Sequence, residues 1–145
     1  MTTTRLLSDL DLLRSRQFPA RSERYGPLGS GPGFHVAALA TGEESGEGDG
    51  SRREEAEEQY EAERDGLAAL LAARWGAPDL MSLWSLLDRG AAGEELPEPW
   101  SGLCGHVPDL MLWRVDARWI GLGVARWGEE ALFQLLAVVT EVDPP

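Results

Sequence analysis

Cys104 and His106 stand two residues apart in the stretch GLCGHV, and on an extended chain this spacing puts both side chains on one side. A thiolate beside an imidazole is a nucleophile beside a general base. The flanking residues match no local signature of a cysteine enzyme, however, and free cysteine is among the most often buried residue types. We therefore predict no catalytic residue. The alternative is a small enzyme or small-molecule-binding protein with a cleft near this pair and the Trp119/Trp127 face.

A metal ion or a phosphate could in principle be held by other residues. His35 could join Cys104, His106 and a carboxylate as a chemically acceptable donor set. The paired ligand spacing of zinc sites and the alternating aspartates of a calcium loop are both missing from the sequence. Four glycines between residues 26 and 33 precede a predicted strand instead of joining a strand to a helix, which disfavours a phosphate loop. The sequence therefore predicts no metal and no cofactor.

The densest group of carboxylates lies in residues 43–65, where eleven acidic residues face three arginines. One interpretation is a solvated loop and helix face that keep the protein soluble. The other is a docking surface for a basic protein, either a nuclease-like toxin or a DNA-binding protein for which the chain mimics DNA, because charge complementarity accelerates encounter and adds specificity. The leading prediction is a non-catalytic interaction protein with these partner-binding residues: Glu54, Glu55, Glu57, Glu58, Glu61, Trp119 and Trp127.

Trp119 and Trp127 lie eight residues apart on a predicted strand, with Gly121 and Gly123 between them. Glycines in a strand let another backbone or a ligand come close. In the interpretation we favour, they let a helix pack tightly on the sheet while the tryptophans cover its edges. In the other, the strip is a flat binding surface, since tryptophan is frequent at interface hot spots. Base stacking is disfavoured because two neighbouring arginines cannot form a positive groove.

Length and charge limit the class of protein. A chain of 145 residues is the usual size of one domain, and we expect residues 1–145 to form one. The net charge of −12 disfavours direct binding to nucleic acid or to an anionic membrane. The single cysteine excludes an internal disulfide, and no signal peptide or apolar span is evident, so we expect a cytoplasmic protein. Its oligomeric state stays open.

The elements that position these residues follow from the hydrophobic pattern. Apolar stripes predict helices over 5–15 and 52–75, and the acidic first half of the second helix should project beyond the core. We prefer a helix over 80–88, in which an apolar stripe includes Leu80, Leu83, Trp84 and Leu87, although a strand is nearly as plausible. A strand is predicted over 34–39, and loops over 19–33 and 41–51, the latter flexible and acidic. Three C-terminal strands, over 110–115, 119–127 and 132–142, should form an antiparallel meander.

The register of the first C-terminal hairpin can also be predicted. A two-residue turn at Asp116 and Ala117 puts a single apolar set on one face, whereas a three-residue turn would mix the glycines into it. That face should carry Met111, Trp113, Val115, Ile120, Leu122, Val124, Phe133, Leu135, Ala137 and Val139. We therefore predict an α+β fold, with an antiparallel sheet of three to five strands packed against two or three helices.

In its size, its charge and its hairpin stretch RWIGLGV, the chain resembles the small acidic α+β proteins of bacteria, some uncharacterised and some acting as immunity proteins. The resemblance implies a single small domain and a protein partner. It carries no diagnostic motif and assigns no role to any residue.

Overall fold

The computed structural model describes residues 3–25, 28–41, 50–127 and 132–145. In chain order its elements are α1 (Thr3–Ser15), β1 (Glu23–Tyr25), β2 (Leu28–Gly31), β3 (Phe34–Thr41), α2 (Gly50–Trp75), β4 (Asp79–Ser82), α3 (Trp84–Ala91), α4 (Trp100–Leu103), β5 (Asp109–Val115), β6 (Arg118–Trp127) and β7 (Leu132–Thr140). The strands form one antiparallel sheet in the order β1-β2-β3-β7-β6-β5-β4. The predicted α+β class is confirmed, but the sheet has seven strands and the described chain four helices, more than predicted.

The predicted hairpin register is correct. Asp116 and Ala117 both have positive φ, 51° and 64°, the conformation that a two-residue type I′ turn requires. Trp113 pairs with Ile120 and Met111 with Leu122, and β7 continues the same face. Alternation along each strand therefore gives every central strand two apolar faces.

Each face of the sheet packs against its own helices. On one face the side chains of α1 and α2 meet a core that includes Ile120, Leu122 and Leu135. On the other face α3, α4 and the segment that follows α4 cover Leu110, Leu112 and Val138. The sheet is thus the middle layer of three, which is why its central strands read as nearly continuous apolar runs.

Two sequence predictions of irregular or helical structure were wrong. The loop predicted over 19–33 contains β1 and β2, because Gly29 and Gly33, with φ of 123° and 86°, allow the tight backbone that the short hairpins need. The helix predicted over 80–88 begins only at Trp84, since residues 79–82 pair with β5 as an edge strand. The Leu83 N–H donates to the Pro108 carbonyl at 2.9 Å, which continues the pairing with β5 by one residue before α3 begins.

Helix α2 packs on the sheet further toward its N-terminus than predicted. Tyr60 is buried and stacks on Phe133 with ring centroids 6.3 Å apart, and Ala56 contacts the same core. The acidic first half therefore lies along the sheet instead of projecting beyond it, because β6 and β7 are long enough to support it. Most of the predicted flexible loop over 41–51, residues 42–49, lies outside the described residues. Within the described ranges, no helix combines the length and apolarity needed to cross a membrane.

Candidate functional site

The predicted acidic residues lie in the first half of α2. Glu54, Glu55 and Glu58 are exposed, whereas Glu57 and Glu61 are half-buried. Glu54 and Glu58 are four residues apart and Glu55 and Glu58 three, so their side chains are neighbours on the helix surface, about 6 Å apart. We call Glu54, Glu55 and Glu58 the acidic face.

Glu57 has a different role from its neighbours, because its carboxylate accepts a hydrogen bond from the guanidinium of Arg126 on β6. About two turns further along the helix, Arg64 lies 3.1 Å from Asp65 and 3.8 Å from Asp109 at the start of β5. The pairs Glu57–Arg126 and Arg64–Asp109 join α2 to the sheet. They leave the carboxylates of the acidic face without an ion pair among the residues whose side chains are described.

Trp119 does not lie with these glutamates, because it packs against the opposite face of the sheet. Its indole N–H donates to the Asp143 carboxylate at 2.9 Å, and the guanidinium of Arg114 lies 5.0 Å from the ring centroid. The hydrogen bond from Trp119, together with the charge and hydrogen bond of Arg114, lowers the pKa of Asp143. The indole is therefore held by a polar cluster beside the C-terminal segment.

The strip between the two tryptophans is not open. Gly121 and Gly123 are buried beneath Leu112, Leu110 and Val107. Trp127 is the last residue of β6, and its side chain lies outside what the structure describes. Eight residues of extended strand separate the two tryptophans by about 26 Å. The predicted glutamates thus lie on α2, on one side of the sheet, and Trp119 packs on the other side.

Cys104 and His106 lie in the segment between α4 and β5. Trp100 anchors α4, since it is fully buried and its indole donates to the Val142 carbonyl at 3.2 Å. The Arg126 N–H donates to the His106 carbonyl at 3.0 Å and fixes the segment beside β6. Cys104 and His106 line a cleft of about 200 Å³ together with Trp84, Leu87, Val107 and Arg126. Trp119 does not line this cleft, so the alternative site predicted from the sequence is only partly assembled.

The thiol of Cys104 is poorly suited to nucleophilic attack. Burial raises its pKa, and the negative charge of Glu98 raises it further. The S–H donates to the Ser101 carbonyl one turn back, at 3.2 Å. Because the thiolate is the reactive form, a raised pKa lowers the nucleophilicity of the sulfur at neutral pH.

His35 lies far from this cleft and has its own partners. The ring is buried, Nε2 donates to the Arg16 carbonyl at 3.2 Å, and Nδ1 lies 2.5 Å from the Ser30 hydroxyl, from which it accepts. Burial lowers the pKa of His35, and the charges of Arg16 and Arg118 lower it further. In the part of the chain that the structure describes, no group of three or more His, Cys, Asp or Glu side chains could hold a metal ion.

Sequence reasoning missed the most exposed aromatic side chain of this region. Trp84, which the helical stripe predicted to be buried, is 63% exposed, and Leu87 one turn later is 37% exposed. Leu83 and Leu86 take the buried positions instead. The stretch LWSLL places large apolar residues on more than one side of the helix. A helix of eight residues at the margin of the sheet can bury only one of its sides. That excess of apolar residues was the available signal.

A wider cleft of about 590 Å³ adjoins the first and shares Leu87 and Cys104 with it. Glu94, Glu95 and Leu96 line it, from the turn that follows α3. Arg89 holds Glu94 through two contacts of 2.6 and 2.5 Å, and this hydrogen bonding lowers the pKa of Glu94.

Comparison of the chain with protein-family models, with curated proteins and with solved structures gives no match.

Proposed function

We propose that this protein is a non-catalytic binding protein that recognises a basic protein through the acidic face of α2. The observation that carries the proposal is that Glu54, Glu55 and Glu58 are exposed side by side on a helix packed against the sheet, while Arg64 and Arg126, whose side chains are described, pair with other carboxylates. The net charge of −12 favours a positively charged partner at long range.

The packing of α2 supports this proposal energetically. Tyr60, Leu67 and Leu71 are buried in the core, so the helix is ordered before any partner arrives. A preorganised surface loses less conformational entropy on binding than a loop that must first be ordered. Three aligned carboxylates then offer the spacing at which arginine and lysine side chains of a partner can pair with them.

A surface that attracts clustered cations also suits particular kinds of basic protein. Proteins that bind or cut nucleic acid present positive charge to phosphates. A row of carboxylates can occupy such a positive surface, either as an immunity-type inhibitor of one toxin or as a mimic of DNA. Burial raises the pKa of Cys104, the only thiol of the sequence, which disfavours an enzyme that uses a cysteine nucleophile.

The test compares capture by two charge-matched variants. One carries Glu54→Gln, Glu55→Gln and Glu58→Gln, and the control carries Glu23→Gln, Asp116→Asn and Glu141→Gln, three exposed carboxylates away from α2. Immobilised proteins are incubated with lysate of the source cells, and bound proteins are identified by mass spectrometry. We expect a basic protein that wild type and control retain and the α2 variant loses. Equal retention by all three proteins would refute the proposal.

Competition then separates the two kinds of partner. A DNA mimic is displaced from its partner by added duplex DNA, because both occupy the same positive surface. An immunity-type protein instead abolishes the activity of one cognate toxin.

A further inference from the structure

The two clefts beside α3 are adjacent, because Leu87 and Cys104 line both of them, and together they form a groove along the helix. We call it the α3 groove. Trp84 and Val107 lie in its narrow part, and Glu94, Glu95 and Leu96 in its wide part. Helix α3 has eight residues, so the groove runs about 12 Å, the length of three or four residues of extended peptide.

The narrow part of the groove is suited to an apolar side chain. Trp84 and Leu87 are 63% and 37% exposed, although each is large enough to favour burial. Val107 beneath them is buried, and Pro108 extends the apolar wall. Tryptophans partly buried in a binding cleft are the residues that most often dominate binding energy.

The negative charge around the groove favours an occupant that carries positive charge. Residues 84–109 carry five carboxylates, on Asp88, Glu94, Glu95, Glu98 and Asp109, against the single guanidinium of Arg89, a net charge of −4 with histidine neutral. Arg126, the cation in the narrow part, is engaged with Glu57. Glu95 is exposed and, in the described part of the chain, forms no ion pair. A second copy of this acidic chain would be repelled, whereas a cationic segment would be attracted.

We infer that the α3 groove binds a short cationic segment of a protein, in which an apolar side chain contacts Trp84 and Leu87 and a flanking arginine or lysine pairs with Glu95. The inference rests on the proposed function, since it names a second contact with the basic partner. The acidic face attracts that partner over a distance, and the groove supplies an apolar anchor. The indole of Trp84 also offers a π face to a cation.

The test uses defined peptides as probes and does not require the partner. Acetyl-Arg-Leu-Arg-amide, acetyl-Glu-Leu-Glu-amide and acetyl-Arg-Gly-Arg-amide are titrated into the ¹⁵N-labelled full chain at a salt concentration of about 0.15 M, which screens distant charges. We expect saturable shifts in residues 84–108 for the first peptide, and no saturable shifts for the other two. Equal binding of the anionic peptide, or shifts confined to other regions, would overturn the inference.

Variants then test each part of the groove. Trp84→Ala should weaken binding of the arginine–leucine peptide by about fivefold or more, and Glu95→Gln should weaken it by about twofold to fivefold. Leu80→Ala is the matched control, because Leu80 is 78% exposed and lines neither cleft. Gly105→Phe should block the narrow part without strain, since a Cβ atom there meets nothing within 4 Å. Peptide binding unchanged in both Trp84→Ala and Gly105→Phe would also overturn the inference.

The acidic-face variant keeps this inference distinguishable from the proposed function. Glu54→Gln, Glu55→Gln and Glu58→Gln lie outside the groove and should leave the peptide affinity unchanged. If the peptides fail to bind while the same variant still loses the captured protein, the groove is excluded and the proposed function stands. If the peptides bind as expected while capture does not depend on the acidic face, the groove is supported and the proposed binding of a basic protein by α2 is wrong.

Discussion

Val107 lies directly over Gly123: a Cβ atom added to this glycine would come within 2.7 Å of Val107 Cγ1. Leu110 Cδ2 would lie equally close and the Asp109 carbonyl 3.0 Å away. The glycines between the two tryptophans therefore admit the α4–β5 segment and side chains of the neighbouring strand. A helix was the expected covering element.

We predict that Gly123→Ala lowers the free energy of unfolding by about 1–3 kcal/mol, because the added methyl group overpacks a core whose backbone cannot move freely. Gly121→Ala is the matched control and should cost less, since its nearest neighbours are side-chain atoms of Leu112 and Val138 at 3.2 and 3.4 Å. Urea denaturation of both variants measures the difference. A Gly123→Ala protein as stable as the wild type would contradict this packing.

The buried His35 predicts acid sensitivity of the fold. Its folded-state pKa lies below the ordinary value of 6.5, so the unfolded chain binds the proton more tightly. Stability should therefore be complete above about pH 6.5 and fall below it, by at most about 1.4 kcal/mol per pH unit from this group. Urea denaturation between about pH 7.5 and 5.5, above most carboxylate titration, measures the slope.

His35→Gln should flatten this pH dependence, whereas His106→Gln, the control for the other histidine, should retain it. A slope that survives His35→Gln would assign the acid sensitivity to other groups.

The raised pKa of Cys104 predicts slow alkylation in the folded protein. Iodoacetamide should react with Cys104 more slowly than with an unstructured cysteine peptide at neutral pH, and its rate should rise only at alkaline pH. His106→Ala should leave the rate profile unchanged. A reactive thiol at neutral pH that becomes inert in His106→Ala would instead support the nucleophile and base pair considered for an enzyme.

The pair of Glu57 and Arg126 predicts a small structural effect and no effect on the acidic face. The side chains are 25% and 48% exposed, so Glu57→Gln should lower the free energy of unfolding by about 0.2–1 kcal/mol. A double-mutant cycle with Arg126→Gln should give a coupling energy in the same range. Absence of coupling would mean that this pair does not hold α2 to the sheet.

Much of the fold followed from local pattern. The long apolar runs near the C-terminus and the Asp116-Ala117 turn predicted the register of β5 and β6, because a shift by one residue would have mixed the glycines of β6 into the face that carries the large apolar side chains. The α2 stripe was equally clear, since Tyr60, Leu67 and Leu71 repeat at helical spacing.

The missed elements depend on tertiary contacts. The short β1 and β2 lie close to prolines and β2 is half glycine, so their own residues favour a loop. The pairing of β1 with β2 and of β2 with β3 overrides that preference. Residues 79–82 form a strand because β5 offers them an edge. Trp84 was assigned to the buried side of the helix, because the pattern of residues 80–87 does not reveal which apolar side the sheet will cover.

The proposed role of the acidic face is to bind a basic protein. Its most direct test is the dissociation constant for the captured protein, measured by calorimetry with the wild type, the α2 triple variant and the charge-matched control. At a salt concentration of about 0.05 M we expect the triple variant to bind about tenfold more weakly than the other two, and the difference to shrink at about 0.5 M. The same dissociation constant for all three proteins at low salt would contradict the claim.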